Sequence, residues 1–380
     1  MFQTIVKIFL LVIITAAITP FIRKLAFVLG AVDNPNARRI NKKPMPTIGG
    51  LAIFVAFNIG EFVLLRKDFP THELFSVLLA SSVIILTGLI DDILELKPRQ
   101  KMFGIFVASL VVYFLAGIKV RELSLPFLGH IQLGWWSFPL TIFWILALTN
   151  AVNLIDGLDG LATGVTLISL VTMGIVGFFF LKSWQHYVPI MCIMLAACLL
   201  GFLPYNFHPA KIFLGDTGAL YIGFMISVLS LKGLKNVTFV SLLVPILILG
   251  VPITDTVYAM IRRKLNKKNI SQADKHHLHH QLMRMGLSHR QTVLAIYGIS
   301  LIFSFVSLLS LVSPRWGIWL LILGLLFAVE LFVETIGLLG AKYKPLLHFL
   351  QHTINKMERA DPEVKVRRLN KRNTNKKDLR

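Results

Sequence analysis

Apolar runs long enough to cross a bilayer recur along nearly the whole chain, separated by short polar gaps. A spanning helix needs about 20 predominantly apolar residues. On that measure the sequence predicts an all-α, polytopic membrane protein with about eleven transmembrane helices, over roughly 4–22, 48–65, 74–90, 102–118, 136–152, 161–181, 187–204, 217–232, 237–260, 292–312 and 317–339. Pro245, Gly250 and Pro252 interrupt the ninth run. Such breaks are tolerated where protein or a water-filled cavity partners the freed backbone groups. Residues 1–340 therefore read as one integral-membrane domain, and 341–380 as a basic tail: an amphipathic piece, then a largely disordered end able to touch anionic lipid.

Composition supports the pattern. Of 380 residues 55% are hydrophobic and only 15% charged, with a mean hydropathy of +0.72, which excludes an ordinary soluble globular protein. A net charge of +20 would point to nucleic acid in a soluble chain. Here most cations lie in alternate gaps and in the tail, so membrane orientation accounts for them and no nucleic-acid partner is expected. The positive-inside rule then puts the N-terminus outside and the C-terminus in the cytoplasm. Trp135, Trp136, Trp184, Trp316 and Trp319 flank the opposite gaps, as an interfacial belt would. The first run continues into Arg23 and Lys24 with no small-residue cleavage site, so it reads as a spanning helix rather than a secretory leader. Cys192 and Cys198, six residues apart in one apolar run, imply neither a disulfide nor a metal site. No internal repeat suggests a transporter architecture.

With this topology the acids collect on one side. Asp33, Asp91, Asp92, Glu95, Asp156, Asp159, Asp216, Asp255 and Asp274 fall in or beside cytoplasmic gaps, against Asp68, Glu73 and Glu122 outside. In N-A-V-N-L-I-D-G-L-D-G-L, Asn153, Asp156 and Asp159 recur every third residue, so a helix here would carry them on one drifting face. Ionisable groups beside membrane spans are expensive and mark sites for ions or phosphates, although two acids could also simply cap a helix start. Asp91 and Asp92 end the third span, with Glu95 one turn on. Adjacent carboxylates at a helix C-terminus repel each other and oppose the dipole, so a cation or a shared proton is the natural compensation. In L-G-D-T-G, Asp216 stands where it could cap the eighth span or hold Mg2+ together with phosphate oxygens. The ninth gap carries His276, His277, His279 and His280. Without cysteines they suggest a loop meeting an anionic substrate more than a zinc site. In N-K-K-P-M-P-T-I-G-G, Lys42 and Lys43 stand beside a rigid turn and two glycines; positive-inside charge alone would explain them unless the loop faces the acids.

Taken together, D-D-I-L-E, N-A-V-N-L-I-D-G-L-D-G-L, L-G-D-T-G, P-T-I-G-G and H-L-H-H in this order resemble the polyprenyl-phosphate N-acetylhexosamine-1-phosphate transferase family. The resemblance covers residues about 33 to 290. It implies a single membrane catalytic domain that uses Mg2+, or Mn2+ in its place, to transfer a sugar 1-phosphate from a UDP-sugar to undecaprenyl phosphate at the cytoplasmic face of the bacterial inner membrane. The H-L-H-H form is similar to the branch that uses UDP-N-acetylglucosamine for teichoic-acid or surface-polysaccharide linkage units. The muramoyl-pentapeptide branch carries three adjacent histidines, which Leu278 interrupts here. By the resemblance Asp216 is the principal metal ligand and Asp156 a second. Asp91, Asp92 and His277 are catalytic or positioning groups; Asn153, Asp159 and Phe213 line the nucleotide-sugar site; His279, His280 and Lys42 or Lys43 meet phosphate and sugar. Membrane lipid is a partner, and a homodimer stays open. The muramoyl-pentapeptide transferase and, in a different class, a lipid or ion transporter remain alternatives.

Overall fold

A computed structural model describes residues 2–33, 44–64, 71–125, 129–180, 187–233, 240–267, 277–338 and 343–360. Its helices are α1 (Phe2–Leu29), α2 (Gly50–Ile59), α3 (Thr71–Leu94), α4 (Pro98–Phe114), α5 (Ser137–Ile155), α6 (Leu161–Phe180), α7 (Tyr187–Asn206), α8 (Gly215–Gly233), α9 (Val240–Ile248), α10 (Gly250–Leu265), α11 (Leu278–Arg284), α12 (His289–Val312), α13 (Arg315–Ile336) and α14 (Pro345–Ala360). Two short antiparallel hairpins complete the described part: β1 (Val32–Asp33) with β2 (Met45–Pro46), and β3 (Glu122–Leu125) with β4 (Gly129–Gln132).

The bundle is wrapped around α8, which packs on α2, α3, α5, α6 and α7. Tyr221, Ile222, Phe224, Met225 and Ile226 are all buried, so no face of α8 is left for solvent or lipid. A helix apolar on every side satisfies its surface only inside other helices. Its N-terminus is approached closely because the contacting residues are small. A Cβ on Gly50 would lie 2.0 Å from the Gly218 Cα, and one on Gly88 would lie 2.4 Å from the Thr217 Cα. Small residues are what let backbones meet in a membrane bundle.

Seven helices among the described residues are long and apolar enough to cross a membrane: Gln3–Leu29, Thr71–Leu94, Gly134–Ile155, Leu161–Phe179, Tyr187–Asn206, His289–Val312 and Trp316–Ile336. The other expected spans are helical but shorter, more polar at their ends, or broken. The run at 48–65 becomes α2 and a π-helical turn, Gly60–Leu64. The run at 237–260 is not one helix: the backbone leaves helical geometry at Leu249 (φ −91°, ψ 22°) and restarts as α10. Gly250 lies against the Phe303 ring, where a Cβ would come within 2.1 Å, and Pro252 falls in the first turn of α10, where its missing N–H leaves no bond unmade. Of the expected interfacial tryptophans, Trp135, Trp136, Trp316 and Trp319 are exposed, and Trp184 lies outside the described residues. The amphipathic piece of the tail is α14.

Candidate active site

The C-terminal turn of α3 meets the N-terminus of α8, and this resolves the unfavourable placement of two carboxylates at a helix C-terminus. Asp92 reaches across to α8: its Oδ1 accepts from the Asp216 N–H (3.0 Å), and its Oδ2 from the Thr217 N–H (2.9 Å) and the Thr217 hydroxyl (2.6 Å). The α8 dipole and its unpaired N–H groups thereby stabilise a charge that the α3 dipole opposes. Asp91 is buried; its Oδ1 accepts from the Leu96 N–H (2.7 Å), and its Oδ2 forms an ion pair with Lys101 of α4. The same ammonium lies 3.1 Å from the Asp216 Oδ1, to which the Asn153 amide of α5 also donates (2.6 Å). Four helices are thus tied through one lysine, one amide and three aspartates.

The stretch after Asn153 is not the continuous helix that its three-residue spacing suggested. α5 ends at Ile155, and Asp156 leaves helical geometry (φ −75°, ψ 55°). Two glycines explain the break: Gly157 allows a close approach by the His279 ring, and Gly160 takes φ +79°. The Tyr297 hydroxyl on α12 donates to the Gly160 carbonyl and holds the loop. Asp156 and Asp159 therefore stand on a loop, not a helix face. Desolvation, and then the charges of Asp216, Asp92 and Asp159, push the Asp156 carboxyl well above the usual carboxylate range. Asp159 accepts from the Ala210 N–H (3.2 Å), and its Oδ2 lies 2.8 Å from the His208 Nδ1.

The third wall comes from the turn before α8. The Phe213 N–H donates to the Pro46 carbonyl (2.8 Å), and the Gly49 and Gly50 N–H groups donate to the Phe213 and Leu214 carbonyls (both 3.0 Å). P-T-I-G-G and L-G-D-T-G are therefore one joint. Gly215 sits at φ +72° with the Thr47 carbonyl 1.6 Å from where a Cβ would be, so no other residue fits. The result is a cavity of about 460 Å³ lined by Asp33, Asp91, Asp92, Glu95, Asn153, Asp156, Asp159, Phe213 and Asp216.

His277, His279 and His280 do not line this cavity; they stand on and just before α11, next to it. The His279 ring abuts Gly157, between the two aspartates of the loop. Burial, then the neighbouring His280, pushes the His279 imidazole down to about 3, so it meets its surroundings as a neutral ring rather than a cation. Lys42, Lys43 and His276 lie outside the described residues. Lys101 escaped sequence reasoning, where it counted only as positive-inside charge. Its one signal was Pro98, which starts α4 and places Lys101 one turn in.

Among the described residues, Asp159, His208 and His289 could hold a metal ion, with ligand atoms within 4.8 Å of one another. The two rings are stacked, 4.1 Å between centroids and 19° between planes. One ion cannot lie near the plane of both, so the group works as a clamp on the loop. The acid cluster suits a hard divalent cation better. Its donors are all oxygen, its carboxylates outnumber Lys101, and Mg2+ takes one or two carboxylates and completes its shell with water and phosphate.

Residues 74–234 match the glycosyl transferase family 4 model. The chain is 42% identical over 341 residues (89% of this chain, 94% of the relative) to a probable undecaprenyl-phosphate N-acetylglucosaminyl 1-phosphate transferase of Bacillus subtilis (strain 168). It is 34% identical over 312 residues (75% and 76%) to a decaprenyl-phosphate N-acetylglucosaminephosphotransferase of Mycolicibacterium smegmatis. It is 32% identical over 306 residues (77% and 90%) to a phospho-N-acetylmuramoyl-pentapeptide-transferase of Clostridium botulinum.

Proposed function

The chain belongs to glycosyl transferase family 4, and from that premise we propose that it transfers N-acetylglucosamine 1-phosphate from UDP-N-acetylglucosamine to undecaprenyl phosphate, releasing UMP. In this reading the reaction is the first membrane step of teichoic-acid or surface-polysaccharide assembly, at the cytoplasmic face. The observation that carries it is the convergence of Asp91, Asn153, Asp156, Phe213 and Asp216 on one cavity from stretches far apart in the chain.

A lipid phosphate oxygen attacks the sugar-bound phosphorus; its bond to the UMP oxygen breaks, giving a lipid diphosphate sugar and UMP. Two anions must approach each other inside a ring of carboxylates, so positive charge has to be supplied. Asp216 and Asp156 would hold Mg2+ or Mn2+, which when bound offsets the charge of the diphosphate. Lys101 supplies a cation built into the chain, and Asn153 fixes the Asp216 carboxylate it faces. Phe213 offers an apolar ring to the uracil base. Asp159, held by His208 and the Ala210 N–H, closes the nucleotide side. A phosphate monoester with a second pKa of about 6 is already mostly dianionic at neutral pH, so a base gains little. Asp91, bonded to the Leu96 N–H and to Lys101, positions charge instead.

The test is incubation of the purified protein with labelled UDP-N-acetylglucosamine, undecaprenyl phosphate and Mg2+. UMP release with labelled lipid is expected. Uptake into vesicles without UMP would replace the enzyme with a transporter, and preference for the muramoyl-pentapeptide nucleotide in competition would move it to that branch.

A further inference from the structure

The histidine segment is held by a carboxylate that the transferase reading leaves unused. Asp255, on α10, is 2% exposed, and among the described residues each of its oxygens has one partner: Oδ1 accepts from the Leu278 N–H and Oδ2 from the His277 Nδ1–H, both at 2.8 Å. A buried carboxylate is stable only when it is bonded in this way.

Both bonds have a structural logic. α11 has seven residues, too few to be stable alone. His277 occupies its N-cap position with extended backbone (φ −62°, ψ 160°) but makes no side-chain cap bond. Asp255 supplies the missing acceptor from a neighbouring helix, and Leu278 is buried in the core beside it. The His277 ring is thereby freed from capping and turned onto the second carboxylate oxygen. A carboxylate can only accept, so the proton of a neutral ring is fixed on Nδ1 and the lone pair on Nε2. The ring lies parallel to that of His279, 6.0 Å between centroids, and His279 abuts Gly157 of the loop that lines the cavity.

We infer that Asp255 is a positioning residue: it seats the histidine helix against the D-G-L-D-G loop that lines the cavity and sets the His277 tautomer, leaving Nε2 as an acceptor. For turnover this rests on the transferase reading; the tautomer does not.

Asp255→Asn separates the two duties. The amide oxygen still caps Leu278, while the amide N–H2 faces Nδ1 and reverses the tautomer, turning Nε2 from acceptor to donor. In the full chain in detergent, nitrogen NMR of labelled histidine should show the His277 proton on Nδ1 in the parent and on Nε2 in Asp255→Asn. The variant should elute as a folded protein and lose 10- to 100-fold in kcat with KM for UDP-N-acetylglucosamine nearly unchanged, because the loop carrying Asp156 and Asp159 is displaced without loss of a substrate contact. Adding Asp255→Asn to His277→Ala should cost nothing further, because the carboxylate acts through that ring. An unchanged tautomer, parental kcat, a loss confined to KM, or additive losses would each overturn the proposal. A parent that releases no UMP, while the tautomer still reverses in Asp255→Asn, would instead refute the transferase reading.

Discussion

Asp92 separates a chemical from an architectural role for an acid in this site. Its carboxylate accepts from two backbone N–H groups and one hydroxyl at the start of α8, with no cation among these partners. Replacement by Ala leaves those donors without this acceptor. At about 1–3 kcal/mol for each buried polar group so stranded, with water and relaxation recovering part, the expected loss of stability is about 2–4 kcal/mol. Losing the charge at the helix N-terminus adds about 0.3–1 kcal/mol. Asp92→Asn keeps one acceptor but points an amide N–H2 at a backbone donor, so about half that loss is expected. Since Asp216 is the residue whose N–H is released, turnover should fall in step with stability: parent, then Asn, then Ala. The assay pairs the apparent melting temperature in detergent with UMP release on the same preparations. An Asp92→Asn protein that melts like the parent yet has lost turnover by orders of magnitude would refute the reasoning, because the charge would then act on substrate or metal and not on α8.

Lys101→Met should cost 100-fold or more in turnover by leaving Asp91 and Asp216 without their shared cation, and Lys101→Arg should restore part of it; parental UMP release from Lys101→Met would remove the lysine from the site. Asp216→Ala should abolish turnover and metal-dependent nucleotide binding while the protein still elutes as folded, and chelation should mimic it in the parent with recovery on adding Mg2+; full activity in the variant ends the metal assignment. His279 is held neutral, with its pKa down to about 3 against about 6.5 unfolded, so its contribution to stability is complete above pH 6.5 and drains away as the pH falls toward 3. His279→Gln should therefore flatten acid destabilisation across that window, and an identical acid melting profile would contradict the burial argument. Gly215→Ala should fail to accumulate as folded protein, since both its φ and the Thr47 carbonyl exclude a methyl group; normal yield and turnover would show that the P-T-I-G-G joint is soft.

The legible part of the fold was the part set by solvent. Apolar runs located every long helix among the described residues, because length and hydropathy decide what lipid accepts. The ninth run misled because its average hides the fit of Gly250 to Phe303, a contact with a residue some fifty positions away. Likewise the three-residue spacing of Asn153, Asp156 and Asp159 has helical period, yet Gly157 and Gly160 end the helix in favour of contacts with His279 and Tyr297. In both places a glycine was visible, but its reason was the partner, which only the folded chain supplies.

The acids show the same divide more sharply. The start of α12 was open to inspection, since Ser288 and Gln291 cap it from within one turn of sequence. Three other helices borrow their caps from elsewhere. Asp92 on α3 serves α8, Asp255 on α10 serves α11, and Glu334 on α13 accepts from the Leu346 and Leu347 N–H groups of α14 (2.8 and 2.7 Å). The residues just before these helices, Leu214, His277 and Lys344, make no such bond for them, so a carboxylate on a neighbouring helix completes each one. A sequence count of acids near the membrane therefore does not separate those that cap a neighbouring helix from those that do not. What distinguishes the remainder is the kind of partner: Asp216 faces the Lys101 ammonium and the Asn153 amide, and Asp156 faces other carboxylates. Carboxyl groups with no backbone partner among the described residues are the ones that a cation and a diphosphate can engage, and Asp156 and Asp216 line the same cavity.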